Sequence, residues 1–250
     1  MRLYHFMRAK YALQAIRRQR LKIARINELN DPFEFLQVAS SDSRTRARYQ
    51  YVKRSLSEYM GLLCFSESWH NPVQWSHYAE SHRGICLGFE VGSDVEVSRV
   101  RYVANRIQPN LKAMRKDGPA AFRHMMDLLT LKFEHWHYEQ EHRLFVELED
   151  KDAKTGLCFF DFAGKPEFNL SEIILGAYSE VAPEQIAKAL GRRAGTVKTH
   201  KARLAFRTFE VVQQRNQDLW RPSRKRVGLR DPTFEALVQR ALKKEFSDRD

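Results

Sequence analysis

The sequence predicts an α+β domain built on a split sheet, mixed or antiparallel, with flanking helices. Apolar runs short enough for strands, such as residues 62–65 and 85–91, occur between segments with helical periodicity. These elements do not alternate regularly, as they would in a doubly wound fold. Both apolar runs lack polar alternation, which indicates strands that are buried on both faces.

In the N-terminal part we predict a strand, a helix, a second strand and a charged surface helix, at residues 3–6, 10–20, 21–25 and 40–58. A turn at Asn30-Asp31-Pro32 precedes the last of these. Asp31 is well placed to cap a helix, with Pro32 at its first position. Capping is the simpler interpretation of Asn30 and Asp31, and the alternative is that this turn lines a binding site.

The central unit runs from Gly61 to Val91 and places an aromatic helix, at about residues 72–81, between the two apolar strands. Trp75, Tyr78 and His82 lie on one face of that helix, at positions i, i+3 and i+7. Two interpretations are open. These residues either form a stripe that docks on the core, or they form a pocket wall that stacks on a flat ligand ring.

In the second half we predict a strand at 96–102, helices at 109–115 and 119–136, and strands at 143–148, 157–162 and 172–176. The expected buried stripe of the longer helix consists of Phe122, Met125, Met126, Leu129 and Phe133. Glu141 lies at the mouth of the strand that follows. We expect a single α+β domain over residues 1–212 and a basic appendage over 213–250, with a helix at 232–246.

The composition of the chain restricts the kinds of partner that it is expected to bind. Its 250 residues carry a net charge of +12, which favours an anionic partner such as nucleic acid, a phosphate-bearing ligand or an acidic protein. The basic tail is the expected nucleic-acid contact. The sequence contains neither a membrane span nor the apolar core of a signal peptide. Cys64, Cys86 and Cys158 lack metal or redox spacing and are predicted to be buried free thiols, so we expect a cytoplasmic protein.

Segment 183–206 has two interpretations. Pro183 starts a helix, Gly191 ends it, and residues 195–204 resemble the recognition helix of bacterial helix-turn-helix regulators. That interpretation predicts a DNA-binding regulator with a ligand-sensing N-terminal domain. The same residues also fit a basic linker that enters a strand, and their Val, Thr and His content disfavours a helix. We favour the strand.

Two other groups of residues invite a chemical interpretation. His135, His137 and His142 lack a recognised ligand spacing, so no metal site is predicted. His5, the aromatic helix and Glu141 together supply what a nicotinamide nucleotide needs. An imidazole can bond a ribose hydroxyl, an aromatic ring can stack on nicotinamide, and a carboxylate can stabilise the oxocarbenium that forms when the glycosidic bond breaks.

Several motifs together resemble an uncharacterised bacterial family, domain of unknown function 2971, over about residues 2–212. They are Leu3-Tyr4-His5-Phe6, Leu29-Asn30-Asp31-Pro32-Phe33-Glu34, Cys64-Phe65-Ser66-Glu67, Trp75-Ser76-His77-Tyr78-Ala79, His82-Arg83-Gly84 and Glu139-Gln140-Glu141-His142-Arg143-Leu144. The layout is similar to the ADP-ribosyltransferase fold of diphtheria-toxin-like and poly(ADP-ribose)-polymerase-like enzymes.

This resemblance implies that NAD is the substrate and that ADP-ribose goes to a protein, to a nucleic acid or to water, in a toxin or phage-defence setting. The implied catalytic residues are Glu141, Tyr78 and His5, with His5 on the ribose. The implied nucleotide-binding residues are His5, Tyr78, Phe65 or Trp75 as the second aromatic wall, Ser66 and Ser68 near the amide, and Asn30, Asp31, His82 and Arg143.

Overall fold

The computed structural model describes residues 1–110, 113, 118–148, 151–220, 236–237 and 240, and it confirms the α+β class. Its helices are α1 (Ala9–Arg18), α2 (Ser43–Tyr59), α3 (Pro72–Tyr78), α4 (Pro119–Leu129) and α5 (Pro183–Leu190). Its strands are β1 (Arg2–Met7), β2 (Arg20–Lys22), β3 (Ala24–Arg25), β4 (Met60–Ser66), β5 (Ile85–Val91), β6 (Ser98–Arg99), β7 (Arg101–Val103), β8 (Leu131–Phe133), β9 (Glu141–Glu147), β10 (Phe159–Asp161), β11 (Phe168–Leu175), β12 (Lys198–Leu204) and β13 (Val211–Gln213).

Nine of these strands are hydrogen-bonded into one mixed sheet. Their order is β13-β12-β11-β5-β1-β4-β9-β6, and β3 also pairs with β4. β11 and β12 are parallel, whereas the other neighbours are antiparallel. Two short sheets, β2 with β10 and β7 with β8, lie outside it. The mixed sheet with flanking helices agrees with the sequence prediction.

The sheet opens between β1 and β4. β1 pairs with β5 along its whole length, but it meets β4 at one position only, Tyr4 opposite Ser66. Beyond that position a side chain replaces the backbone ladder, because Nδ1 of His5 lies 2.7 Å from the carbonyl oxygen of Cys64. The candidate site lies at this opening.

Local sequence explains where the helices begin. The Asp42 side chain accepts the backbone N–H of Thr45 at 2.8 Å and caps α2. The Asn71 side chain likewise accepts the N–H of Val73 at 2.8 Å, and Pro72 occupies the first position of α3. The Asn71 cap fixes the start of α3, which follows β4 after a short turn and packs against β1.

The central strands are buried on both faces, as their apolar runs predict. Leu87 and Phe89 of β5 belong to a core that includes α1 and α5. Cys86 of β5 and Ile174 of β11 face the other side, where Trp75 of α3 covers them. Because side chains alternate along a strand, β5 serves both layers.

The predicted helix over 119–136 is wrong beyond Leu129. The chain leaves the helix at Thr130, forms β8 and then makes a 3₁₀ turn over Glu134–Glu139. The buried stripe also differs, since Phe122 is 53% exposed while Leu128 is fully buried. Pairing of β8 with β7 overrides the apolar periodicity that continues through Phe133.

Other boundaries differ from the prediction in smaller ways. The strands expected at 21–25 and 96–102 are each divided in two, because their halves pair with different strands. Asp31 does not cap a helix. Its side chain accepts the N–H of Phe33 at 2.9 Å within a turn, and Phe35 takes a positive φ of 64° there.

The strand interpretation of the basic segment is confirmed. Residues 198–204 form β12, parallel to β11, so the recognition helix of a helix-turn-helix is absent there and that interpretation is wrong. The described chain continues past residue 212 through β13, and Trp220 packs against the core. Most of the helix expected at 109–115, and most of the appendage with its helix at 232–246, lie outside the described residues.

The cysteines are free thiols, with Cys86 and Cys158 buried and Cys64 half-buried. Among the described residues, no helix is both long enough and apolar enough to cross a membrane. The described residues also hold no group of three or more His, Cys, Asp or Glu side chains arranged for a metal ion.

Candidate active site

A cavity of about 350 Å³ lies at the opening between β1 and β4. Seven of the residues predicted from sequence line it, namely His5, Asn30, Phe65, Ser66, Tyr78, Glu141 and Arg143. They come from β1, the turn after β3, β4, α3 and β9. The elements that flank the opening therefore bring together side chains that are up to 138 residues apart in sequence.

Arg143 is the structural centre of the site, and it is fully buried. Its guanidinium forms two bonds to Glu34 at 2.6 and 2.9 Å, two to Glu141 at 2.9 and 3.0 Å, and one to the carbonyl of Leu129 at 2.6 Å. Every N–H of the guanidinium therefore has a partner. Arg143 lines the cavity, but each of its donors already has a protein partner, so the geometry favours a positioning role, and its predicted role in nucleotide binding stays a prediction.

A second buried cation, Lys132, joins two carboxylates. Its ammonium donates to Glu139 at 2.6 Å and to Glu141 at 3.2 Å, and it lies 3.8 Å from Glu34. Its other neighbour is the ring of Trp136, at 4.7 Å from the centroid. Burial opposes the charge on Lys132, but the three carboxylates outweigh burial and raise the pKa of Lys132 above its usual value.

The two glutamates of β9 and the preceding turn have opposite pKa shifts. Burial opposes the ionisation of Glu141, but Arg143 and Lys132 outweigh it and lower the pKa of Glu141 to about 2. Burial raises the pKa of Glu139, and the Lys132 ammonium offsets this only in part. Two neighbouring carboxylates with separated pKa values are an arrangement typical of acid–base chemistry.

Tyr78 and Asn30 complete the site on the Glu139 side. The Tyr78 hydroxyl donates to the Glu139 carboxylate and accepts from the Asn30 amide at 2.9 Å. Burial raises the pKa of Tyr78, and the adjacent Glu139 raises it further, so the phenol stays protonated. Tyr78 thus presents a ring to the cavity and holds one carboxylate oxygen in place.

The Ser66 hydroxyl is bonded to protein groups and has a positioning role. Its Oγ donates to the backbone carbonyl of Glu139 at 2.6 Å, and the Gln74 amide donates to the same carbonyl at 2.8 Å. Both side chains are buried. They fix the backbone from which the Glu139 carboxylate projects.

His5 is held as a neutral ring. Its Nδ1 donates to the Cys64 carbonyl at 2.7 Å, and burial lowers the pKa of the imidazole. Because a neutral imidazole has one donor and one acceptor, Nε2 is left as an acceptor. The ring lines the cavity and lies 5.5 Å from that of Phe65.

Four predicted binding residues do not line this cavity. Trp75 is fully buried, donates its Nε1 to the carbonyl of Trp69 at 2.6 Å and packs edge-on against Phe6. His82 stacks on Trp75 from the far side. The docked-stripe interpretation therefore holds for Trp75, and Tyr78 lines the cavity, as the pocket-wall interpretation requires. The predicted helical face does not extend to His82, because α3 ends at Tyr78 and His82 lies beyond it with a φ of 67°. Ser68 and Asp31 satisfy backbone N–H groups in their own turns.

A second cavity, of about 540 Å³, adjoins the first and shares His5, Phe6 and Tyr78 with it. Its lining is strongly basic, with Arg8, Arg18, Arg20 and Lys22. Arg20 is paired with Asp152 at 2.8 Å and Lys22 with Glu28 at 2.8 Å. Within the described part of the chain, Arg8 and Arg18 have no carboxylate partner. We call these two adjoining cavities the cleft; its acidic end is lined by carboxylates with the buried Lys132 and Arg143, and its cationic end by arginine and lysine.

Sequence reasoning missed Lys132, Glu139, Glu34 and Gln74. One signal was present, because Glu139, Glu141 and Arg143 alternate, as do residues that share a face of a strand. The others carried none, since Glu34 meets Arg143 across 109 residues.

No protein-family model matches the chain, and neither the curated proteins nor the solved structures contain a match to it.

Proposed function

We propose that the cleft binds NAD and cleaves the bond between nicotinamide and ribose, with transfer of ADP-ribose to a macromolecule or to water. One observation carries the proposal: two carboxylates with opposite pKa shifts lie at one end of a cleft whose other end is cationic. The resemblance to ADP-ribosyltransferases supports the choice of NAD. Both cavity volumes lie in the range of small-molecule sites.

The acidic end suits the reacting ribose. As the glycosidic C–N bond breaks, nicotinamide leaves with the bonding electrons and the ribose develops positive charge at C1′. Among the described residues, the carboxylates of Glu34, Glu139 and Glu141 face two cations, Lys132 and Arg143, so with Glu139 ionised the buried network favours an added positive charge. The oxygen of water or of an acceptor then bonds to C1′ and gives its proton to a base.

Glu139 is the better candidate for that base. The oxygens of Glu141 accept two bonds from Arg143, one from Lys132 and one from the Cys64 thiol, which leaves no acceptor site for a ligand. Among the described residues Glu139 accepts from Tyr78 and Lys132, which leaves acceptor sites for a ligand, and burial raises the pKa of Glu139, which strengthens it as a base. We therefore assign Glu141 to positioning and electrostatic stabilisation, and the proton transfer to Glu139.

The cationic end suits the two phosphates of NAD. Arg8 and Arg18 line it, and no carboxylate among the described residues neutralises them. His5 and Tyr78 lie where the two cavities meet, so a ligand that spans both must pass them. The neutral His5 ring offers Nε2 as an acceptor for a ribose hydroxyl.

The test is NAD binding by calorimetry and nicotinamide release, on wild type, Glu139→Gln and the double variant Arg8→Gln/Arg18→Gln. We expect Glu139→Gln to bind NAD and to lose activity by roughly 100-fold or more, as loss of a general base does. The double variant should bind NAD more weakly, while Arg192→Gln, an exposed arginine that lines neither cavity, serves as the control for charge. Binding without turnover in wild type would make the protein a nucleotide sensor, and no binding would refute the proposal.

A further inference from the structure

A groove on the other side of the cleft wall has the features of a site for stacked bases. It consists of two cavities, of about 350 and 200 Å³, that both contact Phe33 and Arg106. We call this the Phe33 groove and define it by Phe33, Gln37, Arg46, Arg106 and Phe133. Neither cavity belongs to the cleft described above.

Aromatic rings are exposed along the groove. Phe33 is 46% exposed and Phe133 is 37% exposed, and both line the larger cavity. His135, itself exposed, stacks on Phe133 with ring centroids 4.4 Å apart. Exposed rings of this kind are the surfaces on which unpaired bases stack in single-strand-binding proteins.

The charge of the groove is positive. The Arg106 guanidinium lies 4.7 Å from the centroid of Phe33, and Arg46 lines the smaller cavity. The guanidinium of Arg46 donates to the backbone carbonyls of Ser40 and Ser41, and its neighbouring carboxylate, Asp42, does not line the cavity. No carboxylate of the described residues lines either cavity. Cations beside stacking rings are the combination that binds a sugar–phosphate backbone with its bases.

The groove also has an unsatisfied polar group. Gln37 is buried, its amide N–H donates to the carbonyl of Leu131 at 2.5 Å, and its Oε1 has no partner among the described residues. A buried amide oxygen without a donor is unusual in a folded protein. Because this oxygen is inaccessible to solvent, Gln37 forms part of the groove floor, held by its bond to Leu131, and is not itself a contact for a base.

We infer that the Phe33 groove binds single-stranded nucleic acid. A duplex keeps its base faces stacked and cannot offer them to Phe33 and Phe133. The groove shares its wall with the cleft, since Glu34 and Lys132 line the cleft while Phe33 and Phe133, their neighbours in sequence, line the groove. We infer further that the bound strand is the acceptor of ADP-ribose; this one step rests on the proposed function.

The test is fluorescence anisotropy with a labelled, mixed-sequence single-stranded oligonucleotide and its duplex, without NAD. The full chain is used, so the basic tail contributes equally to every variant. We expect single strands to bind more tightly than duplex, and Phe33→Ala and Phe133→Ala each to weaken single-strand binding by roughly 5- to 100-fold. Phe206→Ala removes an 88% exposed ring from the β12–β13 loop and should leave the affinity unchanged.

The salt dependence of binding distinguishes the contribution of the groove from that of the basic tail. Attraction by the tail fades with added salt, whereas the stacking contribution persists, so the ratio between wild type and the Phe variants should survive in high salt. Equal affinity for duplex, equal loss in Phe206→Ala, or no single-strand binding would each overturn the inference. Because NAD is absent, these outcomes do not depend on whether the cleft turns over NAD.

Discussion

Glu141→Gln and Glu139→Gln should differ in their effect on stability, although the two residues are two positions apart. Glu141 is ionised between Arg143 and Lys132, and its neutral amide would leave both buried cations short of an acceptor. At Glu139 burial already opposes the charge, and after its replacement Lys132 would still have the Glu141 carboxylate as a partner. We expect Glu141→Gln to be the more destabilising substitution.

The magnitude follows from the pKa of Glu141, which falls from an ordinary 4.5 to about 2. At about 1.4 kcal/mol for each tenfold change in proton affinity, this corresponds to about 3 kcal/mol of stability. Loss of one partner from a buried ion pair typically costs about 3 to 5 kcal/mol, in agreement. For Glu139→Gln we expect a smaller loss, of roughly 1.5 to 3 kcal/mol, the value of a hydrogen bond to a charged group, because Lys132 keeps Glu141 as a carboxylate partner.

The assay is urea unfolding followed by the fluorescence of the four tryptophans, over a range of pH. Because the folded-state pKa of Glu141 lies below its unfolded value, its contribution is present above about pH 4.5 and is lost as the pH falls towards 2. The difference in the free energy of unfolding between wild type and Glu141→Gln should therefore be constant near neutral pH and become smaller in acid. This reasoning would be refuted if Glu139→Gln were less stable than Glu141→Gln, or if the stability difference between wild type and Glu141→Gln did not decrease in acid.

Two further predictions concern the frame around the cleft. Trp75→Phe should lower the free energy of unfolding by roughly 1 to 3 kcal/mol, because the smaller ring leaves a cavity in the core. The NAD dissociation constant should not change. Weaker NAD binding at unchanged stability would instead show that Trp75 contacts the ligand. Gly176→Ala should lower the melting temperature by several degrees, because an added Cβ would lie 2.1 Å from the carbonyl oxygen of His82, at an overpacking cost of roughly 1 to 3 kcal/mol. Gly92→Ala is its control, since there the nearest atom belongs to the movable side chain of Asp94, and an equal fall in both variants would contradict the steric explanation.

Sequence reasoning located the cleft but not its chemistry. β1, β4 and α3 were predicted because their apolar runs and caps are local signals, and His5, Tyr78 and Glu141 indeed meet in one cavity. Helical periodicity placed Trp75 and Tyr78 on one stripe but could not tell that Trp75 enters the core while Tyr78 turns to the cavity.

The sequence did not predict the buried cation Lys132 for a different reason. Lys132 lies in a stretch whose apolar spacing continues the preceding helix, and only pairing with β7 turns that stretch into a strand. The partnership of Arg143 with Glu34 joins residues 109 apart, and no local pattern reports such a pair. Burial of both charges is a property of the assembled fold rather than of either segment.

The position of β1 in the middle of the sheet sets the order in which the protein can be completed during synthesis. β1 is made before both of its partners, and β4 follows about 60 residues later and β5 about 80. The ion pair between Glu34 and Arg143 must wait longer still. Contacts of such long range make folding slow and leave an unpaired apolar strand exposed to other chains in the meantime. The cleft therefore cannot assemble on a nascent chain until β9 has emerged, and a chain truncated before Arg143 would contain Tyr78 and His5 but lack an organised site.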